Sequence, residues 1–421
     1  MAIPAPQSPA AAPSVSTAGN VVEMLRIPVI TLHAFCETPE LIESLQAAIG
    51  DRRMARTHAT VTPGGIAAAL ELYGRVATPE LILFESHAPA AELFGQLDAL
   101  AEVCGATTKV MVIGHANDIS LYRGLLARGV SEYIVAPVDP LSVITAISRL
   151  YHVAGTAKLG RSFAFVGARG GVGSSTVAHN VAARMAQAYG SGVILADLDL
   201  PFGSASLGFN LGSSQGIADA LEDANRLDEG LFERLLSRCG EHLSVLTAPA
   251  TLAISYDIAE GAFERMLDIA RSTVPFVVLD IPHVWTAWSK KTLIMADEIV
   301  ITAAPDLVGL RNAKNLIAIL RQARPNDAPP RLVLNQVGVP KRSEIKAAQF
   351  AEALEIDLLA CIDFDPATFS AAANEGRMIA DKAAGSAACR HFAEIADKIS
   401  GRTHIRDKRN TGFSFKRLLG R

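Results

Sequence analysis

The stretch FVGARGGVGSSTVAHNVA, Phe165 to Ala182, holds the residues of this chain best suited to chemistry. We read Gly167 and Gly173 as the two glycines of a phosphate-binding turn, Gly-x-x-x-x-Gly-Lys-Ser/Thr, with Gly170 and Gly171 between them. Glycines let the backbone turn tightly and aim its amides inward. A helix starting there adds the positive end of its dipole, and the two together cradle an anion. The lysine of the pattern is missing, and Ser174 stands in its place. Ser175 occupies the position of the hydroxyl that binds Mg²⁺, with Thr176 beside it. The context suits the chemistry: SFAFVG before the turn reads as a strand and STVAHNVAARMAQAYG after it as a helix.

Four further groups stand where apolar runs stop. GVILADLDLPFG ends in Asp197 and Asp199, two carboxylates on one side of an extended chain. PFVVLDIPHVW carries Asp280, a carboxylate placed to act on a nucleotide's metal ion. RLVLNQVG ends in Asn335, placed to hydrogen-bond an adenine edge, and CIDFDP supplies Asp363, Asp365 and Pro366. Any one of these could simply end a strand or cap a helix. In this order after a glycine-rich turn, they predict nucleotide chemistry.

The elements that must position these groups follow from periodicity. From 161 to about 401 strands and helices alternate, which predicts a sheet with helices on both faces. A second alternating series fills 23–153, with IPVITLHAF, ELILFES, KVMVIGH and EYIVAP as buried strands. Small polar residues around 152–160 read as a linker. Residues 1–22, rich in Ala, Pro and Ser, are expected to be disordered because they cannot bury enough surface to offset ordering. Residues 402–421 hold seven Lys or Arg against Asp407, with Phe413, Phe415, Leu418 and Leu419 among them. That tail is either a basic amphipathic membrane contact or a solvated basic end. No run approaches the roughly 20 apolar residues of a spanning helix. The five cysteines show no metal-site spacing, and there is no secretory n- and h-region. A soluble cytoplasmic protein is expected. A net charge of −4 gives no reason to expect wholesale nucleic-acid binding.

Residues 27–153 resemble a response-regulator receiver domain, most clearly in GVSEYIVAPVDPLSVITAI. Its phosphorylation chemistry is missing. Glu85 stands at the phosphoacceptor position, Ala136 and Pro137 replace Lys-Pro, His115 follows Gly114 where Ser or Thr belongs, and His33, Cys36 and Glu37 follow the first strand without an acidic pair. An interaction module is expected there rather than a working phosphoacceptor, which speaks against a response regulator with an ATPase output.

The string RGGVGSST resembles the deviant Walker A motif, Lys-Gly-Gly-x-Gly-Lys-Ser/Thr-Thr, of the MinD/ParA ATPases. DLDLPFGSASLGFN, QGIADALEDANRLDEGLFERLL, LDIPHVW, PDLVGLRNAKNLI and LVLNQVG, behind a degenerate receiver, narrow the likeness to the TadZ/CpaE proteins of Flp (Tad) pilus assembly. The implied fold class is α/β: a degenerate receiver-like (flavodoxin-like) doubly wound domain, then a MinD/ParA-type P-loop NTPase domain.

The resemblance implies ATP and Mg²⁺ as cofactors. Gly170, Gly171, Val172, Gly173, Ser174, Ser175 and Thr176 would hold the phosphates, and Ser175, Asp197 and Asp280 would serve the metal. Asp199 would align water, Asn335 would read adenine with Asp365 and Pro366 nearby, and Arg169 would bridge to the phosphates of a second subunit. It also implies a homodimer on ATP that marks where the pilus machine is built, at a cell pole or the inner face of the membrane. The pilus secretion ATPase and other assembly components would be its partners. Slow or negligible ATP hydrolysis is expected, because losing one preorganised charge lowers rate by roughly 10²–10³-fold. A partitioning ATPase acting on DNA is the rival reading, disfavoured by the net charge and by Ser174.

Overall fold

Apolar runs separated by helix-forming segments build two parallel sheets in the computed structural model, which describes residues 27–151, 159–212, 216–222 and 226–402. The Ala/Pro/Ser-rich segment 1–22, most of the linker and the basic tail from residue 403 lie outside the described residues. The chain separates into two compact units: 1–48 with 56–153, and 49–55 with 154–421.

The first unit holds β1 (Ile30–Cys36), β2 (Thr57–Pro63), β3 (Leu81–Ser86), β4 (Lys109–Gly114) and β5 (Glu132–Val135). Between and after them come α1 (Pro39–Ile49), α2 (Ile66–Tyr73), α3 (Ala90–Val103), α4 (Ile119–Ala127) and α5 (Pro140–Leu150). The strands pair in the order β2-β1-β3-β4-β5, every pair parallel, so the order reverses between β1 and β3. This is the doubly wound receiver-like arrangement. Phe35, Ile82, Phe84, Leu93, Leu97 and Val112 close part of its core. Asp118 and Asp139 cap α4 and α5, each accepting backbone N–H bonds from the first turn. The sequence motifs single out four strands, and the sheet has a fifth, β2. Its sequence THATVTP buries no residue fully, because it pairs only with β1 at the sheet edge. Without a buried face it lacks the apolar run by which its neighbours are read.

The second unit is built on eight strands: β6 (Arg161–Gly167), β7 (Val193–Asp197), β8 (Ser237–Arg238), β9 (Leu243–Leu246), β10 (Phe276–Ile281), β11 (Glu298–Ala303), β12 (Arg331–Val337) and β13 (Leu358–Asp363). They pair in the order β13-β12-β11-β6-β10-β7-β9-β8, and only β8–β9 is antiparallel. Central β6 shows why the run SFAFVG is continuously apolar. Phe163 and Phe165 point into one core with Val181, Met185 and Phe392, while Ala164 and Val166 point into another with Leu279, Ile281 and Ile301. Both faces are covered by helices, so alternation along the strand brings no polar residue. One covering helix is α6 (Ser174–Tyr189), which starts directly from the glycine-rich turn. With both sheets α/β and parallel-stranded, the fold class read from the sequence holds.

Candidate functional site

The functional groups collect at the carboxyl ends of β6, β7, β10 and β12, where loops leave a doubly wound sheet and ligands bind. The turn from β6 to α6 runs through Ala168 to Gly173. Five residues separate Gly167 from Gly173, one more than the phosphate-loop pattern allows, so Ala168 and not Gly167 stands at the first glycine's position. Ala168 is fully buried, and its N–H donates to the Thr302 carbonyl at 2.8 Å. Gly173 caps α6 with φ +85°, and a Cβ there would lie 2.5 Å from Asn335 Nδ2. Only glycine fits that corner.

Four carbonyls of the turn are tied down by side chains. Asn335 Nδ2 donates to Val172 at 2.8 Å, Gln336 Nε2 to Gly171 at 3.0 Å, and Asn312 Nδ2 to Ala168 at 2.9 Å. His283 Nδ1 bonds the Gly167 carbonyl at 2.9 Å. With these oxygens engaged, the amides are what the turn offers to an anion. A Cβ built on Gly170 or Gly171 would meet nothing within 4 Å, so the backbone there borders open space. Two side-chain atoms of the turn are left without partners. Ser174 Oγ and Arg169 Nε are both buried without a hydrogen-bond partner. Orphaned donors of this kind cost about 1–3 kcal/mol each and are relieved by a ligand with acceptor oxygens, as a phosphate has. The residues present thus fit the nucleotide phosphates.

Behind the turn lies an acidic cluster. Asp197 and Asp280 are register partners on β7 and β10, and both are buried. Ser175 Oγ donates to Asp280 Oδ1 at 3.1 Å, and His179 Nε2 lies 3.1 Å from Asp280 Oδ2. Asp197 accepts from the N–H of Asp199 at 3.2 Å and of Ala205 at 2.9 Å. Burial, and then the charge of Asp280, push the Asp197 carboxyl up to about 6. Burial and Asp280 also raise Asp199. Burial works against the His179 imidazolium, but its bond to Asp280 and the charge of Asp197 outweigh that and raise it. A divalent cation would reverse the strain on the carboxyls by favouring their ionised forms. Oxygen donors from Ser175, Asp197 and Asp280 suit Mg²⁺.

The structure brings Gly170, Gly171, Val172, Gly173, Ser174, Ser175, Thr176, Asp197, Asp280 and Asn335 to one neighbourhood, with Asp199 two residues beyond Asp197. Asp365 and Pro366 begin the helix Pro366–Asn374, and the Asp365 carboxylate caps it by accepting from Thr368 N–H at 3.0 Å. Arg169 is engaged within its own chain: Nη2 donates to Asp306 Oδ2 at 2.7 Å, and Asp306 also caps the helix Leu307–Ala323. Sequence reasoning passes over His179, although its place four residues after Ser175 puts it on the same helix face. Asn312, Gln336 and His283 escape it too. Their role depends on which carbonyls the folded chain presents to them, and no local pattern encodes that.

The chain is similar to several known proteins. A family model described as an AAA domain matches residues 160–330. The septum site-determining protein MinD of Bacillus subtilis (strain 168) is 24% identical over 268 residues, spanning 61% of this chain and 97% of that protein. The crystal structure of the pilus assembly protein CpaE from Caulobacter crescentus CB15 shows 46% identity over 31% of this chain and 98% of that one, with a TM-score of 0.30. The ParA family ATPase from Chlorobium tepidum TLS is 23% identical over 57% of this chain and 98% of that one, with a TM-score of 0.51, and shares the fold.

Proposed function

Because the chain belongs to the CpaE/TadZ type of MinD/ParA P-loop ATPases, we propose that it is an ATP-binding scaffold that helps localise and assemble an Flp/Tad pilus secretion machine. It dimerises on Mg-ATP and hydrolyses ATP slowly or hardly at all. The observation that carries this reading is the turn itself. Its carbonyls are tied down, Ser174 Oγ and Arg169 Nε are left unsatisfied, and no lysine is present at position 174.

In this reading residues 170–176 bind the phosphates, Ser175, Asp197 and Asp280 hold Mg²⁺, and Asp199 aligns water. Asn335 spends its amide nitrogen on Val172 and has its carbonyl oxygen to offer the adenine amino group. Asp365 and Pro366 flank the base. Arg169 leaves Asp306 to reach the phosphates of a second copy, where a planar guanidinium grips as well as an ammonium. Apolar side chains beyond the carboxyl ends of β7, β10 and β11 support a partner there. Phe202 and Leu307 are largely exposed, and Val284 and Trp285 about half exposed. The partners proposed are the pilus secretion ATPase and other assembly components, at a cell pole or the inner face of the membrane. Residues 402–421 would add weak membrane-surface contact. Among the described residues no helix is long and apolar enough to cross a membrane.

Calorimetric titration of the purified full chain with ATP and Mg²⁺ tests the reading. Saturable uptake of one nucleotide per chain is expected, and no uptake at any magnesium concentration would refute it.

A further inference from the structure

The first unit carries a cluster to which this function assigns no role. Glu85 stands near the end of β3 with His87 two residues on, His115 directly follows β4, and Glu37 directly follows β1. These are carboxyl ends of neighbouring strands, beside the point where the strand order reverses between β1 and β3, which is where such sheets take ligands.

Glu85 is 1% exposed. Its carboxylate accepts from Glu37 N–H, Thr38 N–H and Thr38 Oγ1, each at 2.7 Å, and lies 3.1 Å from His115 Nε2. Burial opposes its ionisation, yet the Thr38, Glu37 and His115 bonds hold its carboxyl below the ordinary value. No lysine or arginine is among these partners, although buried carboxylates are usually paired with a permanent cation. A second carboxylate stands close by: Glu37 Oε2 lies 2.8 Å from His87 Nδ1. The His87 and His115 rings stack at 3.7 Å with 19° between their planes.

One ligand atom each from Glu85, His87 and His115 lies within 4.8 Å of the others. Around a tetrahedral ion with bonds of ~2.0–2.1 Å, ligand atoms sit about 3.3 Å apart. A modest contraction closes the difference, and the histidine side chains, 48% and 37% exposed, are free to make it. On the other side the chain is tightly apposed, since a Cβ on Gly65 would fall 2.1 Å from Glu37 Oε1. We propose that Glu85, His87 and His115 bind one borderline transition-metal dication of the Zn²⁺ class, with Glu37 orienting the His87 ring. Two imidazoles and one carboxylate favour such an ion over Mg²⁺, which prefers oxygen alone, and three protein ligands leave a fourth position open. A carboxylate behind a ligating imidazole is the usual support for such a ring.

The test uses the full chain, stripped with chelator and carrying Asp280→Asn, which disables the second group of this kind, His179–Asp197–Asp280. Co²⁺ is titrated in and its visible absorption followed, then Zn²⁺ is added to displace it. One equivalent with an intense tetrahedral band is expected. His87→Ala with His115→Ala should weaken binding by roughly 100-fold or more, and Glu37→Gln by about 10-fold. Both histidines are partly exposed, so the double variant should keep the metal-free melting temperature of the parent. If it does not, His115→Gln alone serves for the comparison. Absence of the band, or a band unchanged by these substitutions, would leave a hydrogen-bonded cluster only and overturn the proposal.

Discussion

A single neutral side chain decides how this turn differs from an engine. Ser174 offers no charge to the β- and γ-phosphates as bonds to them loosen, whereas the backbone amides of a glycine turn contribute to ground and transition state alike. Ser174→Lys should therefore raise steady-state ATP turnover by roughly 10²–10³-fold while changing nucleotide affinity much less, as read by a phosphate-release assay beside calorimetry. Arg169→Ala should lower the residual turnover and weaken assembly on ATP. Brisk hydrolysis by that variant would remove Arg169 from the chemistry. At this scale the sequence is informative wherever residue type and spacing carry the meaning, as for Ser174, Ser175 and Asp280. It is silent on Arg169's bond to Asp306 and on the Asp280–His179 contact, because each joins residues more than 100 positions apart.

Elements hold those residues in place, and two of their joints can be tested. Gly173 sits in the left-handed region with no room for a Cβ beside Asn335. Gly173→Ala should cost about 1–3 kcal/mol of local strain and abolish ATP uptake while leaving the sheets folded by circular dichroism. At the far end of the central strand, Asp297 ties the entry of β11 to β6. Its Oδ2 accepts from Ser162 N–H and from Arg271, both at 2.9 Å. Burial would raise this carboxyl, but Arg271 foremost, with Ser162, keeps it below its ordinary range. A depressed folded-state value contributes stability above the unfolded carboxylate range of about 4 and loses it as pH falls through the folded value. The parent should accordingly lose stability in acid below about pH 4. Asp297→Ala should lose roughly 1–3 kcal/mol at neutral pH and show a flatter acid limb in denaturant unfolding, since the half-buried Arg271 loses its carboxylate and keeps only the Gly160 carbonyl. The elements most legible in the sequence are those buried on both faces, such as β3, β6 and β10, whose apolar runs have no other explanation. The edge strand β2 goes unread for the opposite reason. Asp297 goes unread because a strand-entry aspartate looks the same whether or not an arginine waits across the sheet.

At the scale of the whole molecule, two doubly wound units share one chain, and each has its polar groups at the carboxyl ends of its strands. The alternation of apolar and helical segments makes both units readable, and a glycine-rich turn between a strand and a helix locates the nucleotide site. Nothing local reveals the Glu85–His87–His115 cluster as a unit, because β3 and β4 bring it together only after they pair. The central claim is that a turn lacking its lysine still grips ATP, and that the grip joins two copies. Light scattering on the full chain with Mg-ATP, with Mg-ADP and without nucleotide tests it most directly. A doubled mass with Mg-ATP alone, reduced by Arg169→Ala, is the predicted result, and an unchanged mass in all three conditions would contradict the account.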